Sequence, residues 1–203
     1  MNDIKAVIFD LYNTLIYFKN KTKPYDRLFS DLELTPEEKR FGRRIALTKN
    51  FKDLADFITQ LEPKKQLNYA TYEEEIKKEV SSATLYPETK DTLKELRKRG
   101  IKLGLISNLA SPYKKPFFDL ELDEYFSETL FSCDLELIKP DPKIYQEILK
   151  KFSFDPNQVL MIGDNICADV VGPKSVGLNA IHLDRYNNSP NSIHSLEKLL
   201  QTL

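Results

Sequence analysis

The chain has 203 residues and almost balanced charge, with 30 Lys and Arg against 31 Asp and Glu and a formal net charge of −1. This length suits one large domain, or one medium domain that carries an insertion. The charge balance gives no bulk attraction for nucleic acid or for an anionic membrane, so any anion must be held locally. The two cysteines, Cys133 and Cys167, form no CxxC or CxxH pair and therefore support neither a disulfide scaffold nor structural zinc.

The N-terminal segment "MNDIKAVIFD" lacks the cationic stretch and long apolar stretch of an export signal. No run in the chain approaches the ~20 apolar residues that a spanning helix needs. We therefore expect a cytoplasmic protein that is neither exported nor embedded in a membrane.

Four short apolar runs predict strands that are buried on both faces: residues 5–10, 101–107, 158–163 and 178–183. Helical patterns separate the later runs. One helix is expected to begin near Pro87 and to stop at Gly100, and another to use Asp141 as its N-cap with Pro142 in its first position. Strands that alternate with helices predict an α/β fold with a doubly wound parallel sheet.

Residues 17–84 interrupt this alternation with charged helical pattern and no convincing buried strand. "TPEE" at 35–38 and "TYEE" at 71–74 both have the capping-box form that starts a helix. We expect residues 17–84 to be a helical cap inserted into a core made of residues 1–16 and 85–203.

Polar residues stand at or just after the ends of three predicted strands: Asp10, Ser107 and Asp164. In an open parallel sheet, ligands bind outside the carboxyl ends of the strands. Each residue alone could be a turn or helix cap, but together with Asn108, Lys139 and Asp169 they indicate one functional site at that edge. Cys167, inside the last of these segments, is expected to be a small buried residue.

The segments "FDLYNTL", "ISN", "KPDPKIY" and "IGDNICAD" resemble, in order, the four motifs of the haloacid dehalogenase superfamily. The resemblance covers the core, whereas the cap is similar only in its position and helical character. It implies a Rossmann-like hydrolase in which Asp10 is a nucleophile that forms a covalent aspartyl intermediate. It also implies that Lys139 neutralises the nucleophile and the charge that develops during the reaction.

The resemblance further implies a Mg²⁺ cofactor held by Asp10, the backbone carbonyl of Tyr12 and Asp164. Asp169 would bind the metal directly or through water, or orient Lys139. On the same basis, the substrate-binding residues are expected to be Tyr12, Thr14, Ser107 and Asn108.

Tyr12 departs from the usual phosphatase pattern. Phosphatases of this superfamily usually carry an aspartate there, which protonates the leaving group, whereas 2-haloacid dehalogenases carry tyrosine because a halide leaves without a proton. Tyr145, six residues after Lys139, is a second dehalogenase-like feature. Asp164 instead favours a metal-dependent phosphatase, because the metal-free dehalogenases have a serine at its position.

Three hypotheses follow. The first is a Mg²⁺-dependent phosphatase that acts on a small phosphomonoester, and the pair Asp164 and Asp169 favours it. The second is a 2-haloacid dehalogenase, which would need a cationic cradle such as Arg43 or Arg44, although a solvated face of the helix that begins at Thr35 is the better explanation of both arginines. The third is a binding or regulatory protein with feeble turnover, because a missing general acid costs ~10²–10⁴-fold in rate. The expected partner in the first two is a small anionic molecule.

Overall fold

The computed structural model describes residues 3–187 and 189–203. Its strands are β1 (Ala6–Phe9), β2 (Ile16–Phe18), β3 (Ala83–Leu85), β4 (Lys102–Ser107), β5 (Glu128–Phe131), β6 (Val159–Gly163), β7 (Asn179–Leu183) and β8 (Ser192–Ile193). Its α-helices are α1 (Pro24–Asp31), α2 (Pro36–Thr48), α3 (Leu54–Thr59), α4 (Tyr69–Ser81), α5 (Thr89–Lys98), α6 (Lys115–Asp119), α7 (Ser132–Leu135), α8 (Pro142–Phe152), α9 (Gly172–Ser175) and α10 (Leu196–Thr202). None of these helices combines the length and apolarity needed to cross a bilayer.

Six strands form one parallel sheet in the order β5-β4-β1-β6-β7-β8. The central strand β1 is wholly buried, and its side chains alternate between two hydrophobic clusters. Val7 and Phe9 belong to one cluster, and Ala6 and Ile8 to the other. This alternation is what a strand covered on both faces requires, so the predicted doubly wound parallel sheet is confirmed.

Of the two core helices with predicted starts, α8 begins where its sequence indicated and α5 begins two residues later. Asp141 is the N-cap of α8 and accepts a hydrogen bond from the backbone N–H of Lys143, with Pro142 in the first position. Glu88 precedes α5, so Pro87 lies just outside that helix rather than in its first turn. The helix ends before Gly100, whose φ of 78° is a conformation that glycine tolerates best.

Helices α1 to α4 form a helical unit, residues 24–81, and pack around one hydrophobic cluster, to which Ala110 of the core also belongs. The predicted capping box at Thr35 and Glu38 is present, but the one at 71–74 is wrong because α4 already begins at Tyr69. The sequence predicted no convincing buried strand in residues 17–84, and the two short strands at its ends are only partly buried there: β2 pairs antiparallel with β3 where the chain leaves the core and returns to it. The assignment of 17–84 as a cap stays a prediction.

The two connections to the helical unit are joined by hydrogen bonds. The backbone N–H of Lys19 donates to the Ser82 carbonyl at 3.1 Å. The buried Glu79 carboxylate accepts from the backbone N–H groups of Thr22 and Lys23, each at 2.7 Å. A buried carboxylate is stable only where such donors satisfy it, so Glu79 fixes the chain just before α1.

Candidate active site

The parallel sheet brings together the polar residues that follow its central strands. Asp10 comes directly after β1, and its backbone N–H donates to the Ile162 carbonyl at 2.9 Å, which continues the pairing with β6. Ser107 is the last residue of β4, and its hydroxyl donates to Asp10 Oδ1 at 3.3 Å. Asp164 comes directly after β6. The expected convergence at one sheet edge is therefore what the fold produces.

Lys139 lies between two of the carboxylates. Its ammonium Nζ donates to Asp10 Oδ1 at 2.8 Å and to Asp169 Oδ1 at 2.7 Å. The Lys139 and Asp169 side chains are only 2% and 1% exposed. A charge this deeply buried persists only when it is paired and hydrogen-bonded, and here each member of the triad has a partner.

Asp169 reaches this position because a π-helix, Ile166–Val171, follows the loop after β6. The backbone N–H of Asn165 donates to Asp169 Oδ2 at 3.0 Å, and the Asn165 side chain caps the same turn through the N–H of Ala168. A methyl group at Gly163 would overlap the Asp169 side chain, so only glycine allows this approach. Both Asp169 oxygens are thus engaged within the protein.

Burial raises the pKa of the Asp10 carboxyl to about 7, with Lys139 opposing the rise and Asp169 and Asp164 adding to it. Burial also raises the pKa of Asp164, against the hydrogen bond from Asn13. For Lys139, burial works to lower the pKa, but Asp10 and Asp169 together raise it above the ordinary value. Three carboxylates against one ammonium leave surplus negative charge, which favours a bound cation.

Carboxylate oxygens of Asp10, Asp164 and Asp169 lie within 4.8 Å of one another. Hard oxygen donors at this spacing suit a small divalent cation such as Mg²⁺. Because both Asp169 oxygens already accept hydrogen bonds, Asp10 and Asp164 are better placed to bind a metal directly. The donor set therefore fits the expected metal.

Tyr12 does not offer its hydroxyl proton to the site. The hydroxyl donates to the backbone carbonyl of Tyr113 at 2.8 Å, and the ring stacks on Phe18 with centroids 4.7 Å apart. Burial raises the pKa of Tyr12, and the negative charges of Glu79 and Asp10 raise it further. The phenol is neutral at ordinary pH, and its one hydroxyl proton is already donated to the Tyr113 carbonyl.

Asn108 and Thr14 face inward. The Asn108 side chain donates to the Lys139 carbonyl at 2.8 Å and accepts from the Lys139 backbone N–H at 2.9 Å, so it holds the Lys139 segment in place. Thr14 is fully buried, and its hydroxyl has no hydrogen-bond partner among the described residues. Their roles in substrate binding stay predictions.

Two further residues that the sequence singled out are Tyr145 and Cys167. Tyr145 is fully buried, and its hydroxyl donates to the Ala168 carbonyl at 2.5 Å. Cys167 is exposed, so the expectation that it is buried is wrong. It lies on the outer side of the π-helix that places Asp169 inside.

Several groups that hold the site in place were not predicted from the sequence. The Asn13 side chain donates to Asp164 Oδ2 at 3.0 Å, and Asn13 itself has a φ of 60°. The Arg185 guanidinium donates to the Asn13 and Thr14 carbonyls at 3.2 and 2.7 Å. His182 Nε2 lies 3.0 Å from the Asp164 carbonyl oxygen. The position of Arg185 in the sequence could have indicated that it lies near the site, because it stands two residues after the end of β7 at the same sheet edge.

A family model for haloacid dehalogenase-like hydrolases matches residues 4–177. The chain is also 34% identical over 97 residues to the glyceraldehyde 3-phosphate phosphatase of Pyrococcus furiosus, which is 47% of this chain and 40% of that relative. The alignment thus spans less than half of the relative's length. The chain belongs to the haloacid dehalogenase-like hydrolase family.

Two solved structures are similar to the chain over its whole length. One is a phosphatase of this superfamily from Thermococcus onnurineus, with 27% identity, a TM-score of 0.67, and coverage of 98% of this chain and 97% of that one. The other is a dehalogenase with an intermediate complex, with 21% identity, a TM-score of 0.70, and coverage of 100% and 98%. Because the identity to the second structure is only 21%, this similarity is evidence for the fold alone. The predicted α/β Rossmann-like fold is confirmed.

Proposed function

We propose that the chain is a Mg²⁺-dependent phosphatase that hydrolyses a small phosphomonoester in the cytoplasm, with Asp10 as nucleophile. The observation that carries this proposal is the cluster of three carboxylates around the buried ammonium of Lys139. A phosphoryl group brings negative charge to a nucleophile that is itself negative, so cations are needed beside both. Lys139 supplies one, and Asp10, the Tyr12 carbonyl and Asp164, with Asp169 behind them, would hold the other.

The Asp10 carboxylate has two oxygens in different surroundings. Lys139 and Ser107 both donate to Oδ1, the oxygen that would also face Mg²⁺, and Oδ2, which accepts neither hydrogen bond, is assigned to the attack on phosphorus. A bond forms between Oδ2 and phosphorus while the bond from phosphorus to the ester oxygen breaks, and the leaving oxygen takes the electron pair. Water then hydrolyses the aspartyl phosphate and restores Asp10. Bound Mg²⁺ would offset the negative charge of the phosphoryl oxygens.

The dehalogenase alternative has less support from the side chains. Asp164 and Asp169 add negative charge where a haloacid carboxylate would have to bind. The Tyr145 hydroxyl is engaged inside the core, and Arg43 pairs with Asp26 at 3.0 Å. The relative reported above and the solved structure with the higher sequence identity are both named as phosphatases, although the dehalogenase structure has the higher TM-score.

The test is a substrate panel of phosphomonoesters and 2-haloacids, run with Mg²⁺ and with EDTA. Phosphate release should require Mg²⁺ and should be abolished by Asp10→Asn. Asp119→Asn is the matched control, because Asp119 is a half-exposed aspartate that pairs with Lys115 on α6, away from the site. Halide release in EDTA without phosphate release in Mg²⁺ would contradict the proposal in favour of the dehalogenase.

A further inference from the structure

A cavity of about 300 Å³ lies between the helical unit and the loop that follows β4. Tyr12 and Asn108 line one part of it. Tyr12 stands two residues after Asp10, and Asn108 follows Ser107, whose hydroxyl contacts the Asp10 carboxylate. Asp10 is not among the described lining residues, but a leaving group that extends from phosphorus past Tyr12 and Asn108 would enter this cavity.

The walls of this cavity are mainly aromatic and aliphatic. Tyr25, Phe29 and Leu47 line it from the helical unit, and Leu109 and Tyr113 from the core. The aromatic rings contact one another, with the Tyr25 and Tyr113 centroids 6.2 Å apart and those of Tyr12 and Tyr113 6.1 Å apart. Such walls favour a flat apolar group over a hydrated polar one.

The charged side chains among the described lining residues neutralise each other. Arg43 Nη2 and Asp26 Oδ1 form an ion pair at 3.0 Å. A substrate with a second anionic group, such as a carboxylate, would need a cation in this cavity and would have to compete with Asp26 for Arg43, in an ion pair whose side chains are more than half exposed. A neighbouring cavity shares Tyr25 and Ala46 and contains lysines, but none of its lining residues adjoins Asp10 in the sequence.

The leaving oxygen also finds no proton at residue 12. The Tyr12 hydroxyl has a single proton, and it is donated to the Tyr113 carbonyl. A leaving group that departs without a proton must be the conjugate base of a fairly acidic alcohol. Phenols satisfy this condition and alkyl alcohols do not, since a phenol loses its proton near pH ~10.

From the cavity and the engaged hydroxyl together, we propose that the substrate is an aryl phosphate monoester whose ring occupies this cavity. This inference rests on the proposed phosphatase function. Asp10 forms the new bond to phosphorus, the bond between phosphorus and the aryl oxygen breaks, and the electron pair leaves with the aryloxide. The aryloxide takes its proton from solvent after it dissociates.

The first experiment compares kcat/KM for phenyl phosphate, benzyl phosphate and phosphoglycolate in Mg²⁺. Phenyl and benzyl phosphate both carry an aromatic ring but differ in the acidity of the leaving alcohol. Phenyl phosphate should be preferred over benzyl phosphate by about 10²–10⁴-fold, the usual worth of general acid assistance. Phosphoglycolate should be the poorest substrate. Equal or faster turnover of phosphoglycolate overturns the aryl assignment and leaves the phosphatase proposal standing.

The second experiment measures ligand binding in the cavity without catalysis. The Asp10→Asn variant is titrated with phenylphosphonate and with methylphosphonate in Mg²⁺ by calorimetry, and phenylphosphonate should bind at least tenfold more tightly. Equal affinity overturns the inference. If phenylphosphonate is preferred but no phosphomonoester is hydrolysed, the proposed function fails while the cavity remains a site for an aryl phosphoryl compound.

Two variants change the charge of the cavity. Leu47→Lys places a cation among its walls and should lower kcat/KM for phenyl phosphate about tenfold relative to phosphoglycolate. Phe41→Lys is the matched control, because Phe41 is half exposed on the same helix and does not line the cavity. Asp26→Asn, which frees Arg43 with little change of shape, should shift selectivity in the same direction. The proposal is overturned if Leu47→Lys and Asp26→Asn show the same substrate selectivity as the control Phe41→Lys.

Discussion

The Tyr12 hydroxyl donates a hydrogen bond to the backbone carbonyl of Tyr113 at 2.8 Å, which joins the loop after β1 to the loop after β4. The Tyr12 ring is held at the same time by its stack on Phe18. Residue 12 is therefore a wall of the cavity and a brace between two loops. In this arrangement the hydroxyl proton of residue 12 is donated to the protein rather than held free for a leaving group.

Tyr12→Asp should restore a proton donor near the leaving group. We expect kcat/KM for benzyl phosphate to rise by about 10²-fold or more, with a smaller gain for phenyl phosphate, because an alkoxide needs the proton more. The melting temperature should fall, since the stack on Phe18 and the hydrogen bond to Tyr113 are lost. Tyr12→Phe keeps the ring and is the control, in which the ratio of the two substrates should not change. An unchanged ratio in Tyr12→Asp would contradict this interpretation of residue 12.

Arg185 should be a positioning residue for the metal site. It holds the carbonyls of Asn13 and Thr14, pairs with Glu88 at 2.7 Å, and lies 3.5 Å from the centroid of the Tyr86 ring. Its side chain is 8% exposed. Arg185→Gln leaves Glu88 unpaired and should cost about 3–5 kcal/mol of unfolding free energy, measured by urea denaturation.

The same variant should also weaken Mg²⁺ binding by about tenfold, because Asn13 holds Asp164 and Arg185 holds Asn13. Mg²⁺ titration by calorimetry measures this effect. Arg27→Gln is the control, since the half-exposed pair of Arg27 with Glu75 should be worth only about 0–1 kcal/mol and lies in the helical unit. Loss of stability with unchanged Mg²⁺ affinity would show that Arg185 acts on the fold alone.

Gly163→Ala should damage activity more than stability. The added methyl group would overlap the Asp169 side chain and displace it from Lys139. We expect kcat to fall about 10²-fold, as a displacement of ~1 Å can cause, with a loss of about 1–3 kcal/mol in stability. Gly100→Ala is the control: nothing lies within 4 Å of its added methyl group, and its positive φ should cost stability without changing kcat. Parallel losses in both variants would contradict a specific role for Gly163.

Much of the core was predictable because buried parallel strands and amphipathic helices leave strong local patterns. The runs at 101–107 and 158–163 became β4 and β6 with boundaries shifted by one residue. The polar residues after them met at one edge because the parallel arrangement requires it. The pair β2 and β3 was missed, since three residues are too few to show a period and their partners are far apart in sequence.

The braces around the site were harder to foresee for a different reason. Arg185, Glu88 and Asn13 act through contacts between segments 97 to 172 positions apart, and no local pattern reports such contacts. Cys167 was misplaced because the π-helix turns its face outward while Asp169 turns inward, and a π-helix leaves no familiar period. The sequence indicated which polar residues stand at the strand ends, but it did not indicate which contacts hold those residues in position.

The loop that follows β7 should give the protein a pH-dependent stability of known sign. Asp184 accepts hydrogen bonds from the backbone N–H groups of Tyr186, Asn187 and Ser189 at 2.9 to 3.2 Å, and from the Ser189 hydroxyl. These donors, the Ser189 hydroxyl foremost, hold the pKa of Asp184 well below its ordinary value of 3.8. Between the two values the unfolded chain binds a proton that the folded chain does not, so acid favours unfolding.

The contribution of Asp184 is therefore complete above its ordinary pKa and is lost as the pH falls below it. Asp184→Asn should lower the melting temperature at pH 6 to 7, and the difference from the unmodified protein should narrow steadily below pH ~4, the ordinary range for aspartate. Ser189→Ala removes one donor and should show a smaller loss with the same pH dependence. Thermal melts followed by circular dichroism from pH 3 to 7 measure both. A difference that stays constant or widens in acid would mean that the loop gains nothing from the charge of Asp184.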